Sequence, residues 1–433
     1  MTDYRRQSSD TDNQTFSTGY KRYVLGLLLV VYASNYLDRQ ILAILLQPIK
    51  QDMNLSDTEL GLLSGIAFAL FYATLGIPLA RWADKHNRVN LISVCIAIWS
   101  GMTALCGMAG NFLQLLLARI GVGIGEAGCS PPAHSIIADY FSYDTRARAM
   151  AVYFLGLPLG SVLGYLLGGW INQLFGWRIA FLAVGLPGLV LAALVRLTLS
   201  EPPRGHADGT AVPQSHAPTL GETASGLWNS HSFRHLAAGT SLVALTAYGS
   251  ATWFPAFMMR THGLSTGQVG TWLALLALVA GIFGTLLGGW LGDRLGNRDD
   301  RWYAWLPGLS ILISTPFSIA ALLSPTVSGL LILLLPISLA QVIYAPPVFA
   351  TVQRLVGLRS RAMASAVMLF IANLVGLGLG PLLLGVISDL LSDHYGPDAL
   401  RYSLITATFI GVWAALHFVL AGRTLIGDLA QTE

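Results

Sequence analysis

Gly288-Gly289-Trp290-Leu291-Gly292-Asp293-Arg294-Leu295-Gly296-Asn297-Arg298 is a short charged turn closing a long apolar run, and the chain contains it twice. The other copy is Leu79-Ala80-Arg81-Trp82-Ala83-Asp84-Lys85-His86-Asn87-Arg88, which sets Asp84 and Asp293 209 residues apart. Two more anchors repeat at nearly the same spacing. Arg146-Ala147-Arg148-Ala149-Met150-Ala151 matches Arg359-Ser360-Arg361-Ala362-Met363-Ala364 at 213 residues, and Pro131-Pro132 matches Pro346-Pro347 at 215. Three unrelated anchors at nearly one spacing mark an internal duplication.

The material between the anchors is apolar. Of 433 residues only 11% are charged, against roughly 25% in a soluble domain, and 54% are hydrophobic, with mean hydropathy +0.61. Such a chain cannot cover a water-facing surface, which excludes a nucleic-acid binder, a disordered chain and a secreted disulfide scaffold. Cys95, Cys106 and Cys129 sit inside apolar runs and read as small buried hydrophobes. The first apolar run is too long for a signal peptide and is expected to stay as a membrane span.

A spanning helix needs about 20 apolar residues. That ruler predicts an all-α polytopic membrane protein with twelve transmembrane helices. The first six are near 23–47, 58–82, 88–110, 112–140, 147–172 and 178–199. The second six are near 234–259, 266–291, 302–324, 327–352, 361–388 and 400–422. The predicted organisation is a six-helix bundle over 1–200, a linker over 201–232 rich in Pro, Gly, Ser, Thr and His, and a second bundle over 233–433. Nineteen Lys and Arg residues fall on the side of the termini and four (Lys50, Arg178, Arg260, Arg401) on the other, while Arg39 and Arg119 lie within spans. The asymmetry places both termini and the linker in the cytoplasm.

These turns resemble the loop signature of the major facilitator superfamily of secondary transporters, a Gly, three residues, then Asp-Arg-x-Gly-Arg. The second copy is nearly intact from Gly289 to Arg298, with Asn297 displacing the Arg; in the first, Ala80, Lys85 and Asn87 depart from it. The resemblance implies that Asp84, Arg88 and Asp139 form a cytoplasmic charge cluster steadying the outward-facing state, with Asp293 and Arg294 as its second-half counterpart. Ser34-Asn35-Tyr36-Leu37-Asp38-Arg39-Gln40, Arg119-Ile120-Gly121-Val122-Gly123-Ile124-Gly125-Glu126-Ala127 and Gly128-Cys129-Ser130-Pro131-Pro132-Ala133 are similar to the spinster branch. That branch implies a lysophospholipid or sphingoid-type substrate. Anion transporters of related branches also carry Asp-Arg on span 1.

Ionisable groups at mid-membrane depth cost about 3 kcal/mol each and mark function by default. Four occur: Asp38 and Arg39 on span 1, Arg119 and Glu126 on span 4. Arg119 and Glu126, two helical turns apart, share a face. Together the four can form a buried network of zero net charge. Asp38 and Glu126 are the expected proton carriers, with Arg39 and Arg119 binding a headgroup or the carboxylates in turn. Spans 7, 10 and 11 carry no interior charge, so Tyr248, Trp253, Phe254 and Tyr344, with Tyr36 across from them, are the expected cavity lining. One charged wall facing an aromatic, aliphatic one suits an amphiphile.

Gly156, Gly160, Gly164 and Gly168, echoed by Gly376 and Gly380, allow close helix approach. Gly123-x-Gly125-x-x-Gly128 matches a dinucleotide fingerprint only literally, since no strand precedes it. His134 and His417 read as isolated packing residues. No metal site and no cofactor are expected, with the proton as coupling ion, and the chain reads as a monomer without a nucleic-acid partner. The expected function is a proton-coupled transporter working by alternating access in a plasma membrane, most simply a bacterial inner membrane. Drug or organic-anion transport is the alternative. A lipid-modifying intramembrane enzyme, the rival from another class, would have to build catalysis from the same four charges.

Overall fold

In lipid every backbone polar group must be satisfied within the chain, so apolar runs of this length become helices. The computed structural model describes residues 16–207, 220–356 and 360–430, and its long elements are all helical. The first-half spans are α1 (Thr18–Met53), α2 (Asp57–Lys85), α3 (Arg88–Met108), α4 (Phe112–Tyr140), α5 (Tyr143–Phe175) and α6 (Trp177–Thr198). In the second half are α7 (His231–His262), α8 (Thr266–Gly296), α9 (Trp302–Leu323) and α10 (Val327–Arg354). The last apolar stretch, Met363–Ala430, contains two helices, α11 (Arg361–Tyr395) and α12 (Ala399–Ala430), joined by a single 3-10 turn at Gly396–Asp398. Twelve spans result, as the hydropathy pattern predicts. A short helix, Leu220–Asn229, precedes α7. Arg5, Arg6, Arg359 and the middle of the linker lie outside the described residues.

Local sequence sets where these helices start and break. Ser56 with Glu59 opens α2 and Ser265 with Gln268 opens α8, each as a reciprocal capping box. These are corresponding helices of the two halves, so the duplication extends to their caps. Both proline pairs fall where a span restarts after a break. The second segment of α4 begins at Ser130 and that of α10 at Ala345, with the prolines in the first turn, where a missing N–H costs nothing.

The glycine stripe of α5 lies against α1. A Cβ on Gly160 would stand 2.1 Å from the Ala33 carbonyl oxygen, and one on Gly164 would stand 2.9 Å from that of Leu37. Gly376 and Gly380 do the same for α11 against α7, meeting Ala244 and the Leu245 carbonyl. Each central helix, α1 or α7, is therefore clasped by its own half's fifth span.

With twelve spans, both described chain ends and the linker share one side, called here the terminal side; the turns at 54–56, 263–265 and 396–398 define the distal side. The halves meet at the distal side. Asn172 donates to Thr266 (3.0 Å), Trp170 to Thr271 (3.1 Å), and Arg260 to Gln47 (2.5 Å) and Asp57 (2.7 Å). The hydrogen bonds described at the terminal side run within one half or between a half and the linker, as from Arg88 to Glu201 and from Arg204 to the Ala83 carbonyl.

Candidate functional site

Arg39 sits halfway along α1, where its charge must be matched or hydrated. Its Nε donates to Glu126 Oε2 at 2.8 Å, joining α1 to α4. Glu126 is fully enclosed, whereas the Arg39 side chain keeps 15% of its surface open. Three rings surround the guanidinium: Tyr72 at 4.7 Å, Phe68 at 5.1 Å and Tyr36 at 5.2 Å from its central carbon. Cation–π contact offsets part of the desolvation of a buried cation. Arg39 is thus held on one face by a carboxylate and on the others by aromatic surface, with an edge left toward a cavity.

The other two interior charges differ. Asp38 is 2% exposed and Arg119 3% exposed, yet Asp38 Oδ1 and Arg119 Nε are buried without a hydrogen-bond partner. Arg119 packs its guanidinium on Phe68 at 5.4 Å. The expected closed network of four charges is therefore one ion pair with two flanking charges. Successive residues on a helix point about 100° apart, so α1 can present only one of Asp38 and Arg39 squarely to Glu126.

Arg39 and Arg119 line a small pocket between the halves with Tyr36, Gln40 and Phe68 from the first half and Tyr248, Ala251, Thr252 and Leu377 from the second. Tyr248 donates from its hydroxyl to Asn373 Oδ1 at 3.2 Å, tying α7 to α11 at the rim. A larger cavity of about 310 Å³ is lined by second-half residues and by Tyr165 of α5. Its wall holds Phe254, Tyr344, Leu273, Leu334 and Tyr165, with hydroxyls from Thr246, Ser250, Ser314 and Ser338, and no charged residue. Several hydroxyls are turned back onto their own helices, as Thr246 is to the Val243 carbonyl and Ser314 to that of Ile311. Ala251 borders both spaces, so the charged pocket and the uncharged cavity adjoin.

Tyr36, Tyr248, Phe254 and Tyr344 thus line these spaces as expected. Trp253 does not. It is fully buried toward the distal side, with its Nε1 donating to the Pro381 carbonyl at 2.8 Å, because an indole with a satisfied N–H packs best at a helix crossing. His134 packs on Tyr153 and Phe154, but His417 is not isolated: its Nδ1 lies 3.0 Å from that of His235.

At the terminal side Arg88, 1% exposed, pairs with Asp139 and donates through Nε to Glu201 (2.6 Å), through Nη1 to Ser135 (2.7 Å) and through Nη2 to the Pro202 carbonyl (2.8 Å). Gly205 donates its backbone N–H to Asp139 at 2.9 Å, stitching the linker onto the bundle. Asp84 is exposed and takes part in no ion pair among the described residues; Glu201 occupies the place expected of it. Asp293 and Arg294 are also exposed, with Arg294 stacked on Trp290 at 5.2 Å. The sequence pattern makes Glu201 the first linker residue. An acid one turn beyond span 6, level with Arg88, is the only sequence signal for it.

Residues 28–381 match the Major Facilitator Superfamily model. A Mycolicibacterium smegmatis protein named MFS-type efflux pump is 37% identical, covering 94% of this chain and 94% of its own. Human protein spinster homolog 1 is 28% identical over 93% of this chain and 81% of its own. A crystal structure of a bacterial homolog to the human lysosomal transporter Spinster, inward-facing and unoccupied, superposes with a TM-score of 0.88 at 35% identity, covering 95% of this chain and 99% of that one. The duplicated halves, the paired charges on α1 and α4 and these relatives agree: the chain belongs to the major facilitator superfamily and is a spinster-like membrane transporter.

Proposed function

We propose that this transporter moves an amphiphile with an anionic or zwitterionic headgroup, of the lysophospholipid or sphingoid type, and couples the movement to protons. The observation that carries the reading is the meeting of two unlike spaces at Ala251. Arg39, paired behind the wall with the enclosed Glu126, and Arg119 edge the first, and the second is uncharged, about 310 Å³ in volume and partly lined with hydroxyls. A headgroup would lie against Arg39 and Arg119 while the chain enters the second-half cavity.

The coupling follows from the ion pair. A proton delivered to Glu126 Oε2 removes the carboxylate charge and frees the Arg39 Nε–H for an anionic headgroup. Loss of the proton restores the pair and expels the headgroup from the guanidinium. Proton and substrate then compete through one arginine or travel with it, according to the order of opening. Asp38, buried beside this pair with one oxygen unsatisfied, is the second proton carrier. With termini and linker in the cytoplasm, as the basic residues favour, the contacts between halves at the distal side and the likeness to the inward-facing spinster homolog support an inward-facing state.

Drug export is the second reading, favoured by the name of the efflux-pump relative. Proteoliposomes decide between them when substrate-driven proton flux is compared in wild type and Glu126→Gln across lysolipids, sphingoid bases and cationic drugs. Flux with lysolipid that the variant loses supports the proposal. Flux with cationic drugs alone replaces the lipid reading with export, and a Glu126→Gln variant with undiminished flux removes Glu126 from the coupling.

A further inference from the structure

Two histidines of the second half meet away from the central site. His235 lies near the start of α7 and His417 in the later part of α12, and their Nδ1 atoms are 3.0 Å apart. The ring centres are 5.3 Å apart, with the planes tilted by 40°. The difference between those distances is taken up by the two ring radii, so each Nδ1 points at the other along the line of centres. That line suits a proton held between two nitrogens. An in-line metal ion would need about 4 Å between them, twice a metal–imidazole bond of about 2.0 Å.

The number of protons decides whether the contact holds. A neutral imidazole has one N–H and one lone pair. With no added proton, one ring presents an N–H at Nδ1, the other a lone pair, and the bond forms. A first added proton goes to the outer Nε2 of the donor ring and makes the bond charge-assisted. A second puts an N–H on both facing nitrogens and leaves two like-charged rings in contact. The contact is therefore closed at zero or one added proton and open at two. Its charged or titratable neighbours are Arg234 and His231 of α7, both exposed, and α12 sets the Trp413 ring 6.0 Å from His417. Asp428 of α12 is occupied by Ser230 and Ser232, at 2.8 and 2.6 Å. Among the described residues no charged side chain of α1, α8, α9 or α11 acts on either ring, so nothing offsets the second charge.

The pair closes one end of the larger cavity. α7 gives Val243 and Thr246 to the cavity wall, and α12 gives Thr408 and Gly411. His235 lies about two turns from Val243, and His417 under two turns from Gly411, each on the terminal side. Between them the helices are close without being jammed. A Cβ on Gly239 would stand 3.2 Å from the Phe418 ring and 3.3 Å from the Ala414 carbonyl oxygen. We infer that His235 and His417 form a proton-operated clasp, which holds α7 on α12 at the terminal end of the larger cavity and releases it when both rings are protonated. Both residues are half-buried, which leaves them within reach of protons. The clasp answers to pH by itself, with no part played by Glu126 or by the identity of the substrate.

Hydrogen–deuterium exchange of the full-length protein in lipid nanodiscs tests it. Exchange is read by mass spectrometry between about pH 8 and about pH 5, the range in which imidazole changes charge, with labelling times scaled for the intrinsic pH dependence of exchange. In wild type, acidification should raise exchange several-fold in residues 236–243 of α7 and 411–416 of α12. His417→Gln should abolish the rise, because an amide offers His235 both a donor and an acceptor at any proton count. His235→Gln should do the same and decides the matter should the first variant fail to fold. Glu126→Gln should keep the rise, which separates the clasp from coupling at the central pair. A wild type without the rise overturns the clasp, as does a rise that persists in either histidine variant. A rise lost in Glu126→Gln also overturns it, since the pH response would then belong to the central pair.

Discussion

One guanidinium does several jobs at the centre of this protein. Arg39 neutralises Glu126 through Nε, stacks among Phe68, Tyr72 and Tyr36, and keeps an open edge on the pocket. An ammonium group cannot do these things at once, being a point charge without a planar face. Arg39→Lys should therefore weaken binding of an anionic amphiphile by roughly tenfold, about 1.4 kcal/mol, in a tryptophan-fluorescence titration; unchanged affinity would remove Arg39 from headgroup binding. The two carboxylates should part company in stability. Glu126→Gln strands Arg39 in a buried site and should lower the thermal midpoint, at a cost of about 3 kcal/mol. Asp38→Asn removes a charge that lacks a full set of partners and should raise it, by about 1–2 kcal/mol. Equal shifts in detergent melts would contradict that asymmetry. All four interior charges were legible because an ionisable residue in an apolar run is conspicuous on its own. Their pairing was not, since it depends on helix rotation about axes that a single sequence does not fix. Trp253 was misplaced for a related reason, as an aromatic side chain in a span serves a cavity, a lipid face or a crossing equally well.

At the level of the helix, small residues decide who packs on whom. The α5 stripe leaves no room for a Cβ against α1, with 2.1 Å at Gly160, whereas Gly101 on α3 has nothing within 4 Å. Gly160→Val should thus cost about 3 kcal/mol or more, seen as loss of the monodisperse peak in size exclusion of detergent-solubilised protein. Gly101→Ala should be neutral or stabilising by up to about 1 kcal/mol through the unfolded chain. A Gly160→Val protein that melted like wild type would mean that α5 does not need its close approach. The spans, their order and this stripe were readable from length and four-residue spacing. The breaks within spans were not. The interruption of α2 at Gly65 and the π-turn at Ala280–Gly284 in α8 sit in uniformly apolar sequence, and the helices packed against them set the local hydrogen-bond register.

Across the whole molecule the two ends are held by different means, and this is what gives the state its direction. At the distal side the Asp57–Arg260 ion pair crosses between halves; its partners are 203 residues apart in sequence, with neither inside a recognisable motif. Sequence reading placed Arg260 and Lys50 among the few distal cations but had no basis for joining them to Asp57. The terminal-side charges were legible as a duplicated motif, yet Arg88 closes on Asp139 and Glu201 within its own half, leaving Asp84 and Asp293 exposed. Access to the central pocket should therefore be one-sided. Thr252 lines that pocket beside Arg39 and Arg119 and can carry a reporter. In a background lacking the native cysteines, Thr252→Cys should react with a membrane-impermeant maleimide in inverted membrane vesicles several-fold faster than in intact cells. A lysophospholipid added first should slow that reaction, because a headgroup against the two arginines covers the same wall. Faster labelling in intact cells would mean that the open side faces outward or that the termini are not cytoplasmic. Lys85→Cys separates those cases, since its position on the terminal side does not change with the access state, and its labelling sidedness reports orientation alone.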